Sequence, residues 1–125
     1  MISLIIPVIA VVATILGVMF GKMVINGTAT ANITTVATTT TSFTVSLPNN
    51  ATGIPRRLRV AGSVSGSVSL MISATKTLTT AVTPNAGFSY FDIPASAFQS
   101  PVSTVTGLSY YASAVGTFTV LIDYQ

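Results

Sequence analysis

The sequence predicts an α+β fold, in which a long N-terminal hydrophobic α-helix precedes an antiparallel β-sandwich. Two observations carry this prediction. No charged side chain occurs before Lys22, and the composition changes at Asn26 from an aliphatic run to a sequence rich in Ser and Thr. The predicted boundary therefore separates a hydrophobic helix over residues 1–25 from a β-sandwich head over residues 26–125.

The predicted helix follows from the length and the apolar character of the opening run. The run from Ile2 to Ile25 is too long for a strand, and about 24 residues at roughly 1.5 Å each would cross a bilayer. Pro7 lies near its start, where a missing N–H costs least. Apolar side chains surround the predicted helix, so lipid or other protein must bury every side of it.

The strands of the head are predicted from alternating apolar and polar residues. "SFTVSL" alternates, and "RRLRVAGSVSGSVSLMIS" does so with Gly62 and Gly66 at turns or bulges. "KTLTTAV" and "GFSYFDI" are separated by the turn "TPNAG", and "GLSYYASAVGTFTVLIDY" has Gly116 at a further turn or bulge. The spacing predicts roughly six to eight strands in a head of the size of an immunoglobulin-like domain.

The same alternation makes a prediction about the tyrosines. Tyr90 should point away from its neighbour Phe91, and Tyr110 should point away from Tyr111. We therefore expect one ring of each pair to fill the core and the other to lie at the surface.

Composition argues against most catalytic and metal-binding functions. The 125 residues include no cysteine and no histidine, which excludes disulfides, thiolate nucleophiles and Cys/His zinc sites. Asp92 and Asp123 are the only carboxylate side chains, so we predict no catalytic residues, no cofactor and no enzyme. Arg56, Arg57 and Arg59 are too sparse for a nucleic-acid module and are interpreted as surface residues at the start of a strand.

Three interpretations of the opening run are open to the sequence. A secretion signal is disfavoured, because no basic residue precedes Lys22 and the apolar run is long. A membrane anchor fits the length, and Gly17 and Gly21 have the GxxxG spacing of closely packed helices. A permanent packing element, buried by copies of itself in the core of a filament, requires the same apolar surface on every side as a membrane anchor.

An uncharged start, "SLIIPVIAVVATILGVMFG", followed directly by a small Thr- and Ser-rich β domain, resembles the archaeal type IV pilins. Ile5 stands where bacterial type IV pilins usually carry a glutamate. The resemblance implies a tadpole-shaped subunit with an immunoglobulin-like β-sandwich head, whose helices pack in the core of a helical homopolymer. The residues expected to pack in that core are Ile5, Ile9, Val12, Ile15, Leu16, Met19 and Phe20.

The function that the resemblance implies is a structural subunit of an extracellular pilus-like filament that is used for adhesion to host or abiotic surfaces. Such a subunit would be stored in the cytoplasmic membrane and polymerised by a pilus assembly machinery, without nucleic acid as a partner. The alternative is a single-pass membrane-anchored surface protein, or an archaeal virion envelope protein, with the head as a binding module.

Three sequons make the predicted filament a candidate glycoprotein. They begin at Asn50, Asn32 and Asn26. Asn50 is the first candidate, because "PNNATG" is a polar sequence expected in a surface loop. Asn26 adjoins the predicted helix, where neighbouring subunits would shield it.

Overall fold

The computed structural model describes residues 27–125, which form eight strands and one short 3-10 turn at Pro48–Asn50. The strands contain β-branched and small hydroxyl residues in alternation, which suits a pleated surface with one buried face. Their bounds are β1 Gly27–Thr34, β2 Thr41–Ser46, β3 Pro55–Gly62, β4 Gly66–Ser73, β5 Lys76–Val82, β6 Ser89–Asp92, β7 Thr104–Ala112 and β8 Thr117–Tyr124.

For the described residues, 27–125, the predicted α+β class and the pilin-like architecture of a long hydrophobic helix joined to a head are wrong, because this part of the chain is nearly all β. Residues 27–125 form two antiparallel sheets with only the 3-10 turn as helical structure. The helical part of the predicted class depends on the apolar run before Asn26. The residues after it form strands, whose apolar faces are buried between the two sheets. The predicted helix over 1–25, with its seven filament-core candidates, lies outside the described residues.

Within residues 27–125, no helix has the length and hydropathy needed to span a membrane.

The strands pair in a nested order. β1 pairs with β8, β2 with β7, β3 with β6 and β4 with β5, every pair being antiparallel. Further pairing of β3 with β8 and of β4 with β7 gives two four-stranded sheets, β1-β8-β3-β6 and β2-β7-β4-β5. This is the strand order of a jelly roll, a double-sheet architecture built from two Greek keys.

The prediction of two antiparallel sheets is therefore confirmed, but the immunoglobulin-like arrangement is wrong. Immunoglobulin domains contain several hairpins between consecutive strands. Among the strands of residues 27–125, only β4 and β5 are consecutive in sequence and paired in a sheet.

The core lies between the two sheets. β8 shows the pattern most clearly, because Phe118, Val120, Ile122 and Tyr124 are buried while the residues between them are more exposed. The ring of Phe118 meets that of Tyr110 from the opposite sheet edge-to-face, with centroids 5.8 Å apart. The largest fully buried side chains from both sheets are Phe118, Leu58, Leu70, Leu108 and Ile122.

The connections divide between the two ends of the sandwich. Those at 35–40, 63–65, 83–88 and 113–116 lie at one end, where backbone hydrogen bonds join them to one another or to adjoining strand ends. The connections at 47–54 and 93–103 lie at the other end, together with Gln125, whose N–H donates to the Ile54 carbonyl at 2.8 Å.

Candidate binding surface on the first sheet

The outer faces of the two sheets differ in chemistry. The outer face of β2-β7-β4-β5 carries mainly hydroxyls, several of which bond across strands. The hydroxyls of Ser46 and Thr104 are 2.9 Å apart, and those of Ser69 and Thr79 are also 2.9 Å apart. Such a face is polar without being charged.

The outer face of β1-β8-β3-β6 carries two ion pairs. Arg57 and Arg59 are two residues apart on β3, so both side chains point to the same face. The neighbouring strands supply Asp92 from β6 and Asp123 from β8. Arg57 Nε lies 2.7 Å from Asp92 Oδ1, while Arg59 donates from Nε and Nη2 to the two oxygens of Asp123 at 2.9 and 2.8 Å.

Two exposed aromatic rings lie beside these arginines. The guanidinium carbon of Arg57 is 4.5 Å from the centroid of the Tyr90 ring, and that of Arg59 is 5.5 Å from the Phe88 centroid. These distances allow cation–π attraction. Tyr90 is 56% exposed and Phe88 is 49% exposed. We call the set Arg57, Arg59, Phe88, Tyr90, Asp92 and Asp123 the arginine–aromatic surface.

Hydrogen bonds and nearby positive charges lower the pKa of the Asp123 carboxyl. Partial burial acts to raise its pKa, but the hydrogen bonds from Arg59 and Thr28 and the positive charges of Arg59 and Arg57 together lower it. For Arg57, the hydrogen bond and charge of Asp92 raise the pKa further above its ordinary value. The formal charges of the two arginines and the two carboxylates cancel.

The arginine cluster predicted from sequence divides in the structure. Arg57 and Arg59 belong to the arginine–aromatic surface, whereas Arg56 faces away and donates from Nε to Gln125 Oε1 at 2.8 Å. All three are surface residues in the prediction from sequence, which does not show the pairing of Arg57 with Asp92 or of Arg59 with Asp123. The period-two spacing of Arg57 and Arg59 was the available signal.

The predicted directions of the tyrosine side chains are confirmed. Tyr90 is exposed while Phe91 packs partly against the core. Tyr110 is buried, and its hydroxyl accepts a hydrogen bond from the Val36 N–H at 3.0 Å. Tyr111 is 41% exposed on the outer face of the second sheet.

The sequon asparagines fall in different surroundings. Asn50 is exposed at the end of the 3-10 turn with a φ of 59°. Asn32 is exposed on the outer face of β1, and its Oδ1 accepts a hydrogen bond from Thr119 Oγ1 at 3.3 Å. Asn26 lies outside the described residues. Glycosylation at all three stays a prediction.

The second sheet carries a shallow depression of about 540 Å³ on its outer face. Phe43, Met71 and Leu108 contribute apolar atoms, and serine and threonine side chains surround them. Gly107 has a φ of 77° and lies close to the backbone of Met71. A Cβ added at Gly107 would be 3.1 Å from the Met71 carbonyl oxygen. This depression has no charged residue in its lining, unlike the arginine–aromatic surface.

Comparison with known proteins gave no match: no family model, no curated protein and no solved structure is significantly similar to the chain.

Proposed function

We propose that residues 27–125 form a jelly-roll binding module, displayed outside a cell or virion, that holds a neutral carbohydrate on its arginine–aromatic surface. One observation carries the proposal. Both acidic residues of the chain, two of its three arginines and two exposed aromatic rings are gathered on one face of the sandwich. The other face is covered mainly by hydroxyls.

The chemistry of this surface suits a sugar ring. A pyranose has an apolar face of C–H groups, which packs well on an aromatic ring, and a rim of hydroxyls. Tyr90 offers an exposed ring with a polar end. Asp92, whose side chain is 67% exposed, keeps free acceptor positions beside that ring. Sugar hydroxyls can therefore donate to the carboxylate while the C–H face covers the ring.

The ion pairs also reduce the cost of binding. Arg57 is held by Asp92 and by the Tyr90 ring, and Arg59 is held by both oxygens of Asp123. Side chains that are already positioned lose less conformational entropy when a ligand arrives.

The balance of charge favours a neutral ligand over an anionic one. Each arginine of the surface already faces a carboxylate, so a phosphate or sulfate would have to compete with Asp92 or Asp123. A sugar without charge requires no such exchange.

The test is binding of the full chain to a panel of neutral and acidic oligosaccharides. We expect neutral members to bind and Tyr90→Ala to weaken that binding at least about tenfold, which corresponds to roughly 1.4 kcal/mol. Tyr111→Ala is the matched control, because it removes an exposed tyrosine from the opposite face. Equal affinity of Tyr90→Ala and the native chain, or binding of acidic members alone, would contradict the proposal.

The filament role, its adhesive use and the cell-surface location stay predictions. The proposed binding role requires only residues 27–125, and it corresponds to the binding module of the alternative drawn from the sequence.

A further inference from the structure

Strand β1 forms a free edge of the first sheet. It pairs with β8 over all eight residues, from Gly27 opposite Tyr124 to Thr34 opposite Thr117, without a register shift. The ladder continues to Thr35, whose N–H donates to the Gly116 carbonyl at 2.9 Å. The other side of β1 has no neighbouring strand within residues 27–125.

The direction of the free backbone groups follows from this register. In an antiparallel pair, alternate residues direct both N–H and C=O to the partner strand. Since Thr35 binds β8, the odd-numbered residues of β1 do so as well. The residues that direct their backbone groups to the free edge are Thr28, Thr30, Asn32 and Thr34.

The other edge strands carry features that discourage pairing with another chain. β6 has only four residues, and the register of β2 shifts between Phe43 and Val45. β5 begins at Lys76, and its Ala81 carbonyl accepts a hydrogen bond from the Ser89 hydroxyl. Short length, irregular register, lysine and covered carbonyls are the usual protections of sheet edges.

Within residues 27–125, β1 has none of these protections. Its sequence, GTATANIT, contains no charged residue and no proline, and its pairing is regular. We propose that two copies of this chain pair through β1, antiparallel about a two-fold axis, so that their first sheets merge into one of eight strands. Such an interface is isologous, since each copy contributes the same strand.

The composition of β1 fits a second copy as its partner. An antiparallel strand can pair with a second copy of itself. Because β1 contains no charged residue, no like charges would meet across such an interface. The outer side chains are hydroxyls and one amide, which can bond across the interface. On the inner side, Ala31 and Ile33 pack against the core but stay half-buried, so a second β1 would cover more of their apolar surface.

The first test measures the association of the full chain by analytical ultracentrifugation. Thr30→Pro removes one N–H from the free edge and leaves the bonds between β1 and β8 in place. Thr30→Val keeps that N–H. We expect the native chain and Thr30→Val to form dimers and Thr30→Pro to raise the dissociation constant at least about tenfold. Circular dichroism would establish that each variant is folded, and equal dissociation constants for folded variants would overturn the proposal.

The second test uses the absence of cysteine from the chain. Single cysteines are introduced at Thr28, Thr30, Asn32 or Thr34, and the protein is oxidised. We expect covalent dimers at the position closest to the two-fold axis, because a single cysteine there meets the same residue of the second copy. Thr106→Cys, exposed on the second sheet, is the control.

Cross-linking through β1 in excess of the control supports the proposed interface. Association through any other part of the chain would give no excess at the β1 positions and would persist in Thr30→Pro, which would overturn it.

Discussion

Thr35 and Gly116 bind each other through two hydrogen bonds. The Thr35 N–H donates to the Gly116 carbonyl at 2.9 Å, and the Gly116 N–H donates to Thr35 Oγ1 at 2.8 Å. The same hydroxyl donates to the Ala114 carbonyl at 2.8 Å, and Thr35 is only 2% exposed. One buried side chain thus joins the connection after β1 to the connection before β8.

Removal of this hydroxyl should destabilise the fold. Thr35→Val keeps the shape of the side chain but leaves Gly116 N–H and Ala114 C=O without their partner, at a cost of about 1–3 kcal/mol. Urea denaturation measures the difference. Thr35→Ser is the matched control, because it keeps the hydroxyl and loses only a methyl group. If the two variants lose the same stability, the hydroxyl does not have this role.

Two glycines should respond to alanine for different reasons. A Cβ at Gly66 would lie 2.0 Å from the Tyr111 carbonyl oxygen and 2.9 Å from Phe118 Cζ, so the backbone or the core must move. We expect Gly66→Ala to cost about 3 kcal/mol, the upper end of typical overpacking. Gly87 has open space around it but a φ of 86°, so its alanine variant should cost roughly 1 kcal/mol from backbone strain. Thermal unfolding should rank them in that order, and the reverse order would contradict the packing around Gly66.

Acid should weaken the fold through Asp123. The pKa of this carboxyl is lowered in the folded chain, so its contribution to stability is present above the unfolded value near 4 and is lost as the pH falls through the folded value. Because the ion pair is partly exposed, the effect should be on the order of 1 kcal/mol. Denaturation of the native chain and of Asp123→Asn between pH 6 and about pH 2 measures it. Identical acid profiles would show that Asp123 contributes nothing.

Tyr124 should make the opposite contribution at alkaline pH. Its ring is buried, its hydroxyl has no partner within residues 27–125, and burial raises its pKa to about 12. The folded chain therefore keeps a proton that the unfolded chain loses near pH 10, and stability falls as the pH rises from about 10 to about 12.

Tyr124→Phe should remove that dependence and leave stability at pH 7 unchanged or raised by about 1 kcal/mol, because an unpaired buried hydroxyl is lost. Melting temperatures at pH 7 and about pH 11 test both parts. Tyr111→Phe, at an exposed ring, should leave stability at pH 7 unchanged. A strong loss of stability in Tyr124→Phe would show that the hydroxyl has a favourable contact.

The local features of the head could be predicted because they depend on neighbouring residues. Gly62 and Gly66 lie at the ends of β3 and β4, and Gly116 precedes β8, as the turn signals indicate. The alternation of apolar residues predicts β8 and the part of β7 after Gly107, whereas β7 begins at Thr104. β1 was not assigned from sequence, because its alternation of Thr and Ala differs little in hydropathy and resembles an extended linker.

The global features could not be predicted, because they depend on residues far apart in the chain. Arg57 and Asp92 are 35 positions apart, and Arg59 and Asp123 are 64 apart. No local pattern states which strands pair, and so neither the jelly-roll order nor the arginine–aromatic surface could be derived. The predicted class was decided by the apolar run before Asn26, which lies outside the described strands.

The nested pairing sets a folding order. β4 and β5 are separated by two residues, whereas β1 and β8 join opposite ends of the described chain. Closing a long loop costs more entropy than closing a short one, so the β4–β5 hairpin should form first and each outer pair should close a loop already shortened by the pair inside it. Pulsed hydrogen exchange would detect early protection of β4 and β5. The strand with the free edge, β1, is then the last to dock, and the high contact order predicts folding in milliseconds to seconds.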